Sequence, residues 1–249
     1  WYQYLLAGAY GIGTPTVQSV IPNVQVPSIG AIWFLFAMYI GNIIYQLILK
    51  LACNKSKIAT TLILLVVGSV LAAIGFEISL RVQLPWSIGA ALISVIFYAS
   101  GHLIKIWKMM DLTVVNTVYA LLGLGLWILA TIKGPFYMNV GFAAHPLYAT
   151  LGAIGGSYFI MYLFKLIEQK ISLRLLARLG QLALITLSIH IIGLQIFTDA
   201  SFLTRKLLAY GFSGGLIGVT ILLYRICILW ILTIILSKSK YIRYVFAIR

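Results

Sequence analysis

The stretch SIGAIWFLFAMYIGNIIYQLILKL, residues 28–51, is a long apolar run that begins at Ser28 and Gly30 and ends beside Lys50. About 20 residues of α-helix cross the hydrocarbon core of a bilayer, so this run predicts one membrane-spanning helix. Its polar start and its closing lysine are typical of the two places where such a helix meets water. Trp33 then falls at the first of these interfaces.

The composition of the whole chain places it in the same class. Its 249 residues are 62% hydrophobic and only 9% charged, with a mean hydropathy of +1.06. Soluble chains carry about a quarter charged residues, so a soluble domain is excluded. The net charge of +14 at pH 7 comes from basic residues sorted among the loops, which indicates membrane orientation rather than nucleic-acid binding. Cys53 and Cys227 offer neither a disulfide framework nor a metal-ligand spacing, so no metal site is predicted.

Apolar runs of spanning length recur along the chain with short connections between them. We therefore predict an all-α, polytopic transmembrane helix bundle that forms a single domain over residues 1–249, with the lipid bilayer as its main partner. The seven predicted spans are residues 29–50, 58–77, 87–107, 113–132, 146–168, 181–198 and 212–236.

The basic residues are distributed unequally between the two ends of these spans. One side carries the segments 50–57, 105–112, 165–180 and the C-terminal segment, and it collects thirteen of the eighteen lysines and arginines. The other side keeps only Arg81, Lys133, Arg205 and Lys206. The positive-inside rule then predicts a cytoplasmic C-terminus in a cell membrane, with Ser28 on the outside.

Two ionisable residues fall in the middle of predicted spans, where charge is costly and usually faces the bundle interior. Arg225, in LLYRICILW, is a candidate to hold an anion or a carbonyl. His190, in LITLSIHIIGLQIF, is a candidate general base or proton donor because its unperturbed pKa is near neutrality. The alternative for both is a structural hydrogen bond or ion pair between helices.

Other candidates lie toward the ends of the spans. Tyr98, His102 and Lys105 share one helical face near the cytoplasmic side, where a phosphorylated donor can dock, although the sequence favours an interfacial helix end with ordinary snorkelling cations. On the outer side, Trp33 and Trp86 suit either an aromatic belt or stacking on a sugar ring. Arg81, which follows Glu77 by four residues, lies at the same level.

Three stretches together resemble the membrane-bound acyltransferase 3 family, which O-acetylates sugars and cell-surface glycans. They are IGAIWFLFAMYIGN, LPWSIGAALISVIFYASGHLIK and LARLGQLALITLSIHIIGLQIF, which occur in this order between residues 28 and 198. The resemblance implies a bundle of about ten spans, so about three would precede Trp1. The histidine and arginine pattern that the family carries in its first spans does not occur in this chain.

The resemblance implies transfer of an acyl group, usually acetyl, from a coenzyme A thioester to a hydroxyl of an extracytoplasmic sugar or cell-envelope glycan in a bacterial plasma membrane. Acetyl-CoA would be the donor substrate, with no bound cofactor. The family's histidine in the first spans would be the base, and His190 is carried over as a member of a matching stretch. Within this chain we assign Arg225 to the stabilisation of charge. His102, Lys105 and Arg174 would attract the donor phosphates, and Trp33, Arg81 and Trp86 would hold the sugar.

Two other functions fit the same sequence features. A transporter or flippase of a small polar or lipid-linked molecule would share the spans, the intramembrane arginine and the aromatic rim, but would be expected to show paired broken helices or inverted repeats. An inactive, truncated family member is the other alternative. The oligomeric state is not predicted.

Overall fold

The computed structural model of the chain describes residues 2–13, 25–52, 54–183, 186–187 and 200–239. The described part is mostly helical, with one short two-stranded hairpin. Its helices are α1 (Tyr2–Tyr10), α2 (Trp33–Ala52), α3 (Lys57–Arg81), α4 (Ile88–Ile106), α5 (Val114–Lys133), α6 (Pro146–Glu168), α7 (Arg174–Gln181), α8 (Ala200–Ala209) and α9 (Gly214–Ser237). Short 3₁₀ turns at Gly30–Ile32 and Pro85–Ser87 precede α2 and α4.

Six of the described helices are long and apolar enough to cross a membrane, namely α2, α3, α4, α5, α6 and α9. They coincide with six of the seven predicted spans, so the prediction of an all-α multi-pass bundle is confirmed. The remaining predicted span, residues 181–198, lies mostly outside the described residues. The basic segment before it forms the short helix α7, which combines leucines with cations in the way typical of an amphipathic helix.

Local side-chain chemistry sets where several helices begin. Ser56 caps α3 by accepting a hydrogen bond from the Ala59 amide at 3.2 Å, and Thr113 caps α5 through the Asn116 amide at the same distance. Pro146 opens α6, where its missing N–H removes no helical hydrogen bond. A lysine lies in the last turn of α2, α4, α5 and α6, where a cation offsets the negative end of the helix dipole.

The chain divides into two compact units, residues 1–171 and 172–249, which are described separately. In the first unit α4 is the central helix: 67% of the residues in its apolar stretch are buried, against 22% for each of α2 and α3. Small residues permit this packing. Gly41 of α2 lies against Ser94 of α4, and a side chain at Gly68 of α3 would meet Ile96 at 3.1 Å.

Helices α5 and α6 form a second close pair within the first unit. A Cβ atom on Gly123 would lie 2.5 Å from the carbonyl oxygen of Gly155, so the two backbones touch with no side chain between them. Gly152 and Gly156 of α6 contact Ala130 and Trp127 of α5. The GAIGGS cluster at 152–157 thus serves close helix packing through its small residues. A Cβ added at Gly214, Gly215 or Gly218 of α9, by contrast, would meet no described atom of another element within 4 Å.

A small hairpin joins α5 to α6 and ties this pair to the end of α3. Strand β1 (Phe136–Tyr137) pairs antiparallel with β2 (Phe142–Ala143), with Phe136 opposite Ala143. Phe136 packs on Phe76 of α3, and the Gln83 side-chain amide donates to the Val140 carbonyl at 2.9 Å. The loop after α3 and the loop after α5 therefore lie at the same end of the unit.

The first unit thus has two chemically distinct ends. We name the end that carries the α2–α3, α4–α5 and α6 termini the lysine end, because it holds seven lysines: Lys50, Lys55, Lys57, Lys105, Lys108, Lys165 and Lys170. Its acidic residues are Asp111 and Glu168. The opposite end, which we name the tryptophan end, carries Trp33, Trp86 and the hairpin, with Arg81 and Lys133 as its cations.

Candidate functional site

The tryptophan end brings together the two tryptophans that the sequence predicts as substrate-binding residues. Trp33 opens α2 and Trp86 lies in the turn before α4, and both rings lie against the backbone of residues 11–13. A Cβ at Gly13 would lie 2.5 Å from Trp33 Cδ1, and a Cβ at Gly11 would lie 3.1 Å from Trp86 Cδ1. Residues 11 and 13 therefore need to be glycine for the backbone to lie against both indole rings.

The turn that presents Trp86 is strained. Trp86 (φ 55°) and Ser87 (φ 52°) are consecutive non-glycine residues in the left-handed region, which costs each about 1–2 kcal/mol. Ser87 is buried, and its hydroxyl donates to the Gly11 carbonyl at 3.0 Å, which helps to hold this conformation. Trp86 itself remains 48% exposed. Strain of this kind persists where surrounding contacts enforce it and often marks a functional position.

Further hydrogen bonds fix the segments around the tryptophans. The Ser28 hydroxyl donates to the Gly13 carbonyl at 2.7 Å and accepts from the Gly30 amide at 2.9 Å. The Tyr10 hydroxyl donates to the Gln83 carbonyl at 2.8 Å. The sequence singled out none of Tyr10, Gly11, Gly13, Gln83 or Ser87 as members of the site. The Gly-x-Gly spacing at 11–13 was the available signal, but alone it indicates only a poor helix.

Arg81 lies at the same end but makes a loose ion pair. Its guanidinium is 3.9 Å from the Glu77 carboxylate, and the two side chains are 82% and 68% exposed. An exposed pair of this kind stabilises the fold by about 1 kcal/mol or less. The pair therefore leaves charged donors and acceptors open to solvent at the tryptophan end.

His102 and Lys105 lie in the other half of α4 and do not join this site. The His102 ring meets Tyr45 of α2 edge-on at 6.0 Å between centroids, and Tyr45 stacks on Tyr98 at 5.7 Å. The Tyr98 hydroxyl donates to the Met38 carbonyl at 3.0 Å. The face that Tyr98 and His102 share is thus occupied by α2, which favours a packing role for this histidine, whereas Lys105 is exposed at the lysine end.

The remaining candidates belong to the second unit. Arg174 is an exposed residue at the start of α7. Arg225 lies in the middle of α9, about 16–18 Å along the helix from its two ends at 1.5 Å per residue, which is farther than an arginine side chain extends. Its side chain is exposed, and the described residues of this unit include no carboxylate. His190 lies outside the described residues.

The arrangement supports binding more directly than it supports catalysis. An exposed indole, an ion pair and a fixed backbone suit a ligand with apolar ring faces and many hydroxyls. Among the residues that the structure describes, no three His, Cys, Asp or Glu side chains come together as a metal site. Comparisons with protein-family models, with curated proteins and with solved structures give no match to this chain.

Proposed function

We propose that the protein is an integral-membrane O-acyltransferase that moves an acyl group, in the first place acetyl, from a coenzyme A thioester to a hydroxyl of a sugar or cell-envelope glycan. The observation that carries the proposal is the meeting of Trp33 and Trp86 over Gly11–Gly13 at one end of the first unit, the end that also carries Arg81. The three sequence stretches that resemble the acyltransferase 3 family include both tryptophans and support the same function.

The proposed orientation assigns the two substrates to opposite ends of the first unit. The lysine end would face the cytoplasm under the positive-inside rule, and the tryptophan end would face outward in a bacterial plasma membrane. The phosphates of acetyl-CoA would then approach Lys105 and other lysines of the lysine end, whereas the sugar would stack on Trp86. The C-terminus would be cytoplasmic.

The reaction requires a base and a stabiliser for negative charge. The acceptor oxygen attacks the thioester carbonyl carbon, the C–S bond breaks, and the hydroxyl proton passes through the base to the leaving thiolate. His190 is the base that this chain offers by sequence, and Arg225 is the group proposed to stabilise the oxyanion. An arginine in the middle of a membrane interacts strongly with an anion because little water screens its charge.

The proposal is tested with the complete gene product in membranes, labelled acetyl-CoA and isolated envelope glycans. Trp86→Ala is expected to raise the acceptor KM by roughly tenfold, the size of one lost aromatic contact, and to leave the donor KM unchanged. Trp86→Phe keeps a ring and is the matched control. Folded wild-type protein that transfers no acyl group to any envelope glycan would contradict the proposal.

Arg225 also favours a second candidate function, the transport or flipping of a small polar or lipid-linked molecule. An exposed cation at mid-span is a usual feature of pathways for polar or anionic substrates. The two functions separate in proteoliposomes, because a transporter moves labelled substrate across the bilayer unchanged, whereas an acyltransferase requires the thioester and modifies the acceptor.

A further inference from the structure

The start of α3 and the end of α4 meet in a corner of the lysine end. One lysine of this corner is positioned by an aromatic ring, and the proposed function does not use it. The Lys57 ammonium lies 4.0 Å from the centroid of the Trp107 ring, and the Trp107 indole N–H donates to the Thr61 hydroxyl at 3.1 Å. Both Lys57 and Trp107 remain exposed. The ring face attracts the ammonium, which still has N–H donors to direct at another group.

The backbone beside this corner is fixed as well. Lys108 adopts a left-handed conformation (φ 50°) in the turn after α4, and its amide donates to the Lys105 carbonyl at 3.1 Å. The Asn116 side-chain amide donates to the Lys108 carbonyl at 3.2 Å. The turn that carries Lys105 and Lys108 is thereby held next to the Lys57–Trp107 pair.

The surface changes from cationic to apolar along α3. Leu65 lies eight residues after Lys57 on the same helical row as Thr61, about 12 Å along the axis toward the middle of the span. Leu65 is 40% exposed, and its neighbours Ile58 and Leu62 are 65% and 58% exposed. A ligand for this corner therefore needs a negative head and a long apolar part, which excludes a free phosphate as the best match.

We propose that this corner binds an anionic phospholipid. It consists of Lys57, Thr61 and Trp107 together with the exposed apolar residues Ile58, Leu62 and Leu65. The phosphate accepts hydrogen bonds from the Lys57 ammonium, and the acyl chain follows Ile58, Leu62 and Leu65. Charge complementarity identifies the occupant, because the lysine end of the first unit holds seven lysines against two carboxylates. A basic cluster at the membrane surface gains about fivefold in anionic-lipid affinity for each lysine that contributes.

The test uses the full chain in neutral detergent with lipids whose acyl chains carry bromine, which quenches tryptophan fluorescence on contact. The signal of Trp107 is obtained as the difference between the protein and its Trp107→Phe variant, since the chain has 6 tryptophans. Brominated phosphatidylglycerol is expected to quench Trp107 at about one-fifth of the concentration that brominated phosphatidylcholine requires. Lys57→Gln is expected to remove this preference, and Lys57→Arg to retain it.

The chain provides a matched control at the tryptophan end. Lys133 also lies over an aromatic ring, 5.5 Å from the Tyr148 centroid, but away from the lysine cluster. Lys133→Gln is expected to leave the Trp107 preference unchanged. Equal quenching by the two lipids, an equal loss in Lys133→Gln, or competition by glycerophosphate as effective as that of the intact lipid would each overturn the proposal.

Discussion

At the scale of the residue, the packing at the tryptophan end depends on two glycines, which have no side chain where the two indole rings lie. Gly11 has a φ of +63° and Gly13 leaves the space that the Trp33 ring occupies. Sequence reasoning placed Trp33 and Trp86 at one interface because tryptophan prefers it, but it did not place them against residues 11–13. That contact depends on left-handed backbone at Gly11, Trp86 and Ser87, and two of these residue types rarely adopt it.

A pair of alanine substitutions in the same segment tests this role of glycine. Gly11→Ala is expected to destabilise the protein by about 1–2 kcal/mol, because alanine resists a left-handed φ and its Cβ would crowd Trp86. A Cβ added at Gly8 of α1 would meet no atom outside its own helical turn within 4 Å, so Gly8→Ala is expected to be neutral or to stabilise by up to about 1 kcal/mol. Equilibrium unfolding in detergent measures both, and equal effects would show that Gly11 has no special role.

Arg225 is a second single residue whose role is measurable. If it stabilises the oxyanion, Arg225→Met is expected to lower kcat by about 10²–10³-fold, with expression and unfolding midpoint close to those of the wild type. Lys238→Gln, beyond the end of α9, is the control and is expected to retain activity. Unchanged acyl transfer in a normally expressed Arg225→Met protein would remove this residue from the mechanism.

At the scale of the element, α5 and α6 show how a pattern in one helix predicts a contact but not its partner. The GAIGGS run indicates close packing by small residues. It does not reveal that Gly155 meets Gly123 rather than Gly125, although the two glycines of α5 are only two residues apart. The choice depends on helix rotation, which follows from the fit of whole faces and is not written in either motif.

The two glycines of α5 offer a direct test of that rotation. Gly123→Ala is expected to destabilise the α5–α6 pair by about 1–3 kcal/mol, since the added Cβ would overlap the Gly155 carbonyl. Gly125→Ala faces open space and is expected to have no destabilising effect. Unfolding with increasing denaturing detergent, followed by circular dichroism, compares the two variants. A Gly125→Ala loss as large as that of Gly123→Ala would contradict the observed helix rotation.

At the scale of the whole molecule, length and hydropathy predict the spans well because the bilayer imposes them directly. Six predicted spans match described helices to within a few residues. Position in the bundle was not predictable in the same way. Helices α4 and α5 are both continuous apolar runs, yet 67% of the apolar stretch of one is buried and only 11% of the other. Lipid and protein interiors are similarly apolar, so hydrophobicity does not separate them.

The topology itself is tested by cysteine accessibility in a variant with Cys53 and Cys227 replaced by serine. Lys55→Cys and Lys170→Cys are expected to react with a membrane-impermeant reagent only after the membrane is opened, because both belong to the lysine end. Lys133→Cys is expected to react in intact cells. Leu122→Cys, at mid-span on α5, is the unreactive control. Labelling of Lys55→Cys from outside an intact cell would reverse the assigned orientation.

The strained turn at Trp86 and Ser87 also restricts how the central helix can move. Sliding α4 along its axis would break the hydrogen bond from Ser87 to the Gly11 carbonyl. It would also strain the hydrogen bond from the Tyr10 hydroxyl to the Gln83 carbonyl. A piston-like stroke is thus opposed at this end. Rocking about a fixed pivot near Ser87 is the displacement that keeps these attachments intact.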